Sequence, residues 1–360
     1  MKIFLVELEP VETRYTAQWK KFLPEQLCSA GFDVEIIAGP ADAPQDTTPG
    51  AFLNFSGTNY WKSEQLKTIS KMFAEGKVND GDYFLYTDAW NPTVLQLKYM
   101  AELLGVKIKI GGMWHAGSYD PADFLGRLIG KAPWVRHAEM SMYECFDDNF
   151  YATDFHIDMF TNTFWNDDRD IDRQLLHKIR RVGWPMEYLE HSLDAYKNLE
   201  KKNLILFPHR LAPEKQVEIF EDLAKHLPQY DFVICQNKKL TKHEYHTLLG
   251  QSKMVFSANL QETLGISWYE GVLVDAIPLI PDRLSYSEMA IDSFKYPADW
   301  TTNYESYLEN REHIINKIIQ LMDNYDSLKN DLTTQREKLS NDFFSGNALY
   351  EVLRSRQHGK

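Results

Sequence analysis

Two apolar patterns alternate along the first third of this chain. Short segments at residues 1–6, 33–38, 83–86 and 107–110, the third an unbroken apolar run, predict strands. Between them, residues 16–30, 63–74 and about 93–104 repeat apolar positions every three to four residues, which predicts helices. Unbroken runs suit strands buried on both faces, so the repeated strand–helix order predicts a parallel sheet covered by helices on each side. The stretch 111–189 loses this rhythm and becomes rich in aromatic and acidic residues; it is expected to finish a first domain and supply its loops. After a polar segment at 194–202 the rhythm restarts, with strands expected at 203–207, 231–235, 253–257 and 277–280. Helices are expected at 214–225, 242–249, about 263–274 and beyond 303. The simplest fold class is therefore α/β, with two Rossmann-like, doubly wound domains divided near residue 193.

Length agrees with that division, because 360 residues exceed one ordinary core and suit two domains of about 150 to 200 residues. No run approaches the roughly 18 apolar residues of a membrane helix, so a soluble protein with no membrane partner is expected. Residues 1–6 carry a single Lys and a short apolar run before Glu7 and Glu9, which does not fit a signal peptide. Cys28, Cys145 and Cys235 lack the spacing of a zinc cluster or disulfide framework, and a reducing cytoplasm fits them. A net charge of −13 argues against nucleic-acid binding over a wide surface, while leaving a local basic groove open. Lys238, Lys239 and Lys242, and the group Arg169, Arg173, Lys178, Arg180 and Arg181, are the clusters that could form one. Ordinary charged helix faces are the default reading of both, with a groove for nucleic acid as the alternative.

The most informative segment is 257–271, which sets Glu262 and Glu270 eight residues apart around a predicted helix start. If helical, that spacing advances about 12 Å, comparable to a nucleotide diphosphate sugar. The backbone N–H groups of Thr263, Leu264, Gly265 and Ile266 would hold a diphosphate at the positive end of the helix. Glu262 would then accept from sugar hydroxyls and Glu270 from the ribose. A capping Glu and a surface Glu on an unremarkable helix is the alternative. A second element, 207–216, leaves a predicted strand and opens a helix at the carboxyl edge of the second sheet, where such folds bind ligands. Arg210 and Lys215 in it could neutralise the charge that grows on a departing nucleotide.

Together, His209-Arg210, Glu214-Lys215, Glu262 through Glu270 and the run 275–282 resemble retaining glycosyltransferases of the two-Rossmann GT-B fold. The likeness is strongest over 203–300. Within that class the chain resembles the tRNA-queuosine mannosyltransferase group and glycosyltransferases of tailed phages, some of which decorate hydroxymethylated bases in their own DNA. The resemblance implies an acceptor-side domain at 1–192, a nucleotide-sugar domain at 193–326 with a cleft between the two, and helices at 327–360 packing back toward the first domain. It implies diphosphate contacts from Arg210 and Lys215, sugar contacts from Glu262 and ribose contacts from Glu270. The co-substrate would be a UDP- or GDP-linked sugar, with no other cofactor and no metal. His115, in the loop Gly112 to Gly117 after a predicted strand, would stand beside the transferred sugar as a fourth catalytic residue.

Acceptor residues are less legible, because the loop at 9–16 departs from the glycine-rich first loop frequent in that family. Glu12, Arg14 and Tyr15, with Asp88, Trp90 and Asn91 on a neighbouring loop, are the acceptor candidates; turn and cap roles explain each equally. The resemblance favours a 5-hydroxymethylpyrimidine base in phage DNA, flipped from its duplex and stacked near Trp90, Trp114 and Tyr119 in a host cytoplasm. A glycan, lipid-linked sugar or protein acceptor is the alternative, and an inactive binding module of the same fold is a third reading. Asp167 to Asp170 imitates a metal-binding DxD motif but follows no apolar strand, so a solvated loop is expected there. The oligomeric state is not legible.

Overall fold

The computed structural model describes residues 1–11, 14–44, 46–48, 51, 53–165 and 176–358. Two compact units divide the chain, one comprising Met1–Pro185 with Gly346–Lys360, the other Met186–Ser345.

The first unit carries a six-stranded sheet of order β2-β1-β3-β4-β5-β6 in which every pairing is parallel. Its elements are β1 (Lys2–Val6), α1 (Tyr15–Ser29), β2 (Asp33–Ile37), α2 (Phe55–Ala74), β3 (Tyr83–Tyr86) and α3 (Thr93–Leu104). After them come β4 (Lys109–Met113), α4 (Phe124–Ile129), α5 (Pro133–Cys145), β5 (Asp148–Tyr151), α6 (Asp154–Trp165) and β6 (Ile179–Arg181). All four residues of β3 are buried, as the unbroken apolar run requires of a strand covered on both faces.

The expectation of loops over 111–189 is corrected: the described residues of that stretch include helices α4, α5 and α6 and strands β5 and β6. Strand β5 escaped notice because half of it is polar. Asp148 and Asn149 are fully buried there, which is tolerable because each is bonded. Asp148 accepts from Arg180, Arg356 and Tyr83, and Asn149 accepts the Trp114 indole N–H at 2.8 Å. Strand β6 contains Arg180 and Arg181, so its pattern looks like a surface segment. Arg356 belongs to the last helix of the chain, which is part of this unit, so residues separated by 208 positions share one buried carboxylate.

The second unit begins with α7 (Tyr188–Lys197) and β7 (Lys202–Phe207), followed by α8 (Val217–His226), β8 (Asp231–Ile234), α9 (Lys242–Gln251) and β9 (Ser252–Phe256). It continues with α10 (Ile266–Leu273), β10 (Ile277–Pro281), α11 (Tyr286–Met289), β11 (Lys295–Tyr296), α12 (Tyr304–Asp323) and α13 (Lys329–Asp342). The parallel sheet runs β11-β10-β9-β7-β8. Helix α8 shows why the rhythm was readable: Ile219, Phe220 and Leu223 face the sheet while Glu218 and Glu221 do not. The closing helix α14 (Asn347–Gln357) returns to the first unit. Among the described residues no helix is long and apolar enough to cross a membrane.

Candidate functional site

In the second unit β7 lies between β8 and β9, so the connections that leave it and return diverge to opposite sides of the sheet. That switch point opens a crevice at the carboxyl ends of β7 and β9. The turn after β7 carries His209 and Arg210 and tightens into a short 3-10 segment, Pro213–Lys215. Gln216 follows at φ 51, and only then does α8 start, three residues later than its periodicity suggested. The left-handed Gln216 is held by its side-chain amide, which donates to the carbonyls of Ala258 and Thr301 at 2.6 and 2.8 Å.

This turn aims Lys215 across the crevice. Its ammonium, on a residue 5% exposed, donates to the Gln261 carbonyl at 2.6 Å and stands 3.5 Å from Glu262 Oε2. The other oxygen of Glu262 accepts from the amides of Thr263 and Leu264 at 3.2 and 3.4 Å. Helix α10 begins at Ile266, not at 263, because Gly265 at φ 88 reverses the chain just before it. The eight residues from Glu262 to Glu270 are therefore only partly helical, and Glu270 sits little more than one turn inside. Lys215, Glu262 and the amides beside Gly265 form one polar group at the mouth of α10.

Arg210 is held differently, its guanidinium donating to the buried Glu214 carboxylate beside Lys215. Glu270 accepts the Tyr245 hydroxyl of α9 at 2.9 Å, and burial pushes its carboxyl up to about 7. His209 bridges the two crevice loops. Its Nε2 donates to the Phe256 carbonyl at 3.2 Å, and burial pushes the imidazole down to about 3, so it is neutral. Tyr245 and the Gln261 carbonyl were not foreseen. The first lies on a different helix from its partner and the second is main chain, so neither leaves a trace in side-chain patterns.

The first unit has a corresponding switch point between β1 and β3. Thr87, just past β3, ties it together: its hydroxyl accepts from the Leu8 amide at 2.7 Å, and its carbonyl lies 2.6 Å from His115 Nε2. A carbonyl only accepts, so Nε2 carries the proton and Nδ1 accepts the Tyr15 hydroxyl at 2.9 Å. Tyr15 and His115 thus meet across 100 residues, flanked by the rings of Trp19 and Trp184 at 5.4 and 5.2 Å from the imidazole.

The other acceptor candidates have definite local partners. Asp88 pairs with Lys62 of α2 at 3.1 Å and also accepts the Trp90 amide. The Trp90 indole donates to buried Glu139 at 2.9 Å. Asn91 accepts from the Thr93 amide and hydroxyl at the start of α3. Arg14 reaches the Ala51 carbonyl at 3.4 Å. Glu12 and the stretch Asp167 to Asp170 lie outside the described residues, as do Arg169 and Arg173. Trp114 and Tyr119 are not stacking platforms: both are sealed in the core at 0% and 3% exposure. In the second basic cluster Lys178 pairs with Glu144 and Arg180 with Asp148. Among the described residues no three His, Cys, Asp or Glu side chains gather to hold a metal ion.

Comparison with solved structures agrees with this architecture. The chain is similar to the catalytic domain of starch synthase IV from Arabidopsis thaliana, solved with ADP and acarbose, at TM-score 0.62 and 12% identity, covering 99% of this chain and 98% of that one. Sucrose-phosphate synthase from Thermosynechococcus elongatus matches at TM-score 0.64 and 10% identity, over 99% and 98% of the two chains. The pneumococcal O-GlcNAc transferase GtfA, solved with UDP and GlcNAc, matches at TM-score 0.54 and 12% identity, over 83% and 60%. No family model and no curated protein matches the chain. At these identities the likeness establishes the fold: two parallel-sheet, Rossmann-like α/β domains of the GT-B class.

Proposed function

We propose that the protein is a glycosyltransferase that takes a sugar from a nucleoside diphosphate sugar bound to the second unit and transfers it, with retention, to an acceptor hydroxyl. The observation that carries this reading is the convergence of Lys215 and Glu262 at the mouth of α10. That helix start supplies amides and a positive dipole end for a diphosphate, and the ammonium supplies a charge that strengthens as the leaving group departs. The ADP and UDP in two of the fold neighbours support a diphosphate there. A diphosphate arriving at this mouth would compete with Glu262 for the Thr263 and Leu264 amides, freeing that carboxylate for sugar hydroxyls. Arg210 would add a second cation, and Glu270 would accept from the ribose.

In the proposed reaction the bond between the anomeric carbon and the diphosphate oxygen breaks, and one to the acceptor oxygen forms on the same face. The acceptor proton passes to the departing phosphate oxygen, so no enzyme nucleophile and no metal is required. Its barrier falls to the extent that Lys215 and the helix dipole meet the growing negative charge.

A hydroxymethylated pyrimidine in DNA remains the acceptor implied by resemblance, but Trp114 and Tyr119 are closed to a flipped base. A glycan, lipid-linked sugar or protein hydroxyl is the alternative acceptor. Incubating the protein with UDP-, GDP- and ADP-linked sugars, with and without acceptors, tests the proposal. Release of one nucleoside diphosphate with an α-linked product from an α-linked donor is expected. Tight nucleotide binding without turnover would instead mark an inactive binding module.

A further inference from the structure

The carboxyl edge of the first unit's sheet contains buried polar groups that the described residues satisfy incompletely. Glu9, three residues past β1, is 6% exposed; the Thr58 hydroxyl of α2 helps to hold its charge, yet neither carboxylate oxygen has a described partner at full hydrogen-bonding geometry. Glu7 is equally buried with Oε2 unpartnered, and the Gln65 side-chain oxygen of α2 is likewise without a partner among the described residues. Such atoms are rare in folded proteins, since each forfeits its hydration for nothing in return. Lys62, which acts on Glu9 electrostatically, gives its own hydrogen bonds to Asp88 and the Trp90 carbonyl. Burial accordingly raises both carboxyls, that of Glu7 to about 6.

These groups lie at the switch point between β1 and β3, the position in a doubly wound sheet where ligands dock. Their chemistry is one-sided. Carboxylate and amide oxygens accept, and the Trp19 indole N–H, also buried and unpartnered, is the lone orphaned donor of α1. A hydroxyl satisfies both kinds. A phosphate offers only acceptors and would meet Glu7, Glu9 and Asp88 as like charges.

We infer that this edge is the acceptor subsite of the proposed transferase, with Glu9 and Glu7 accepting hydrogen bonds from a neutral, hydroxyl-rich acceptor such as a saccharide or polyol. The inference rests on the transferase reading and narrows its acceptor class. Glu9 binds and orients the acceptor, and the proton leaves with the phosphate as before.

The test pairs acceptors that differ in charge. Transfer is measured to glycerol, maltose and trehalose on one side, and to glycerol phosphate, glucose 6-phosphate and hydroxymethylated duplex DNA on the other. The neutral set is expected to be used. Glu9→Gln is expected to raise the half-saturating acceptor concentration at least tenfold, with a smaller change in turnover at saturation, and Glu7→Gln is expected to act in the same direction. Both changes preserve shape and remove a buried acid, so a melting curve at or above that of the wild type would show that folding is intact. Preference for the anionic set, use of none of the neutral acceptors, or an unchanged half-saturating concentration in Glu9→Gln and Glu7→Gln would overturn the subsite. Failure of the wild type to release nucleoside diphosphate from any donor, with every acceptor of both sets and without one, would overturn the transferase reading itself and the subsite with it; release in any of these assays leaves that reading standing and the subsite to be judged by the outcomes above.

Discussion

The Tyr245 hydroxyl donates to Glu270 Oε2 at 2.9 Å, joining α9 to a carboxylate on α10 that is 7% exposed. That single hydrogen bond does not offset burial, and the carboxyl rises from 4.5 to about 7. Between those values the folded chain keeps a proton that the unfolded chain releases. The group's favourable contribution is therefore complete below pH 4.5 and is lost as pH rises through about 7. Glu270→Gln should leave the melting temperature near that of the wild type at pH 4.5 and raise it at pH 8, by up to roughly 3 kcal/mol of stability. Melting curves of both proteins from pH 4.5 to 8 check the sign. A widening advantage for the wild type at high pH would refute it.

Gly265 makes the mouth of α10 possible. At φ 88 an L side chain is strained, and a Cβ there would lie 2.4 Å from the Trp268 indole nitrogen. Gly265→Ala is expected to destabilise the protein by about 2 to 4 kcal/mol and to weaken nucleotide binding with it. Ser267→Ala, one residue inside the helix, should do far less to stability. Equal melting temperatures for the two variants would contradict this account of the turn.

His115 should lose its proton more readily than a free imidazole. Burial holds its imidazole below 6.5, and the Thr87 carbonyl selects the Nε2–H form. Nitrogen NMR of labelled histidine at pH 8 and above is expected to show that tautomer. In Tyr15→Phe, Nδ1 loses its donor and its shift should move. Titration near pH 6.5 in the wild type would contradict the arrangement.

Arg356 meets Asp148 through two hydrogen bonds at 2.9 and 2.7 Å, and Asp148 is fully buried. Arg356→Ala removes a bidentate partner from a buried charge and is expected to cost about 3 kcal/mol. Arg354, exposed and resting over the Phe32 ring at 5.9 Å, should matter by less than about 1 kcal/mol. Thermal unfolding of the two alanine variants separates a buried tie from a surface contact.

The strands and helices that depend on apolar spacing alone were readable from the sequence. Those that depend on polar residues were not. Helix α3 falls at 93–104 as its periodicity states, whereas β5 hides behind Asp148 and Asn149, whose partners lie up to 208 residues away. At the site, the acid pair and the lysine could be named from residue type, but not their pairing. Lys215 turns toward Glu262 because Gln216 adopts a left-handed backbone held by two carbonyls from another loop. Trp114 and Tyr119 illustrate the opposite failure: an aromatic residue in a polar stretch looks like a platform until the sheet closes over it. Glu7 and Glu9 were visible only as the end of a strand, since what distinguishes them is burial without full hydrogen bonding among the described residues.

The central claim is that a nucleoside diphosphate seats at the start of α10 against Lys215. Calorimetric titration with UDP, GDP and ADP, on the wild type and Lys215→Ala, tests it most directly. One of the three should bind the wild type with a stoichiometry of one and lose about 30-fold or more in affinity in the variant, about 2 kcal/mol for a charge-assisted contact. Binding of none of them, or equal affinity in the two proteins, would contradict the account.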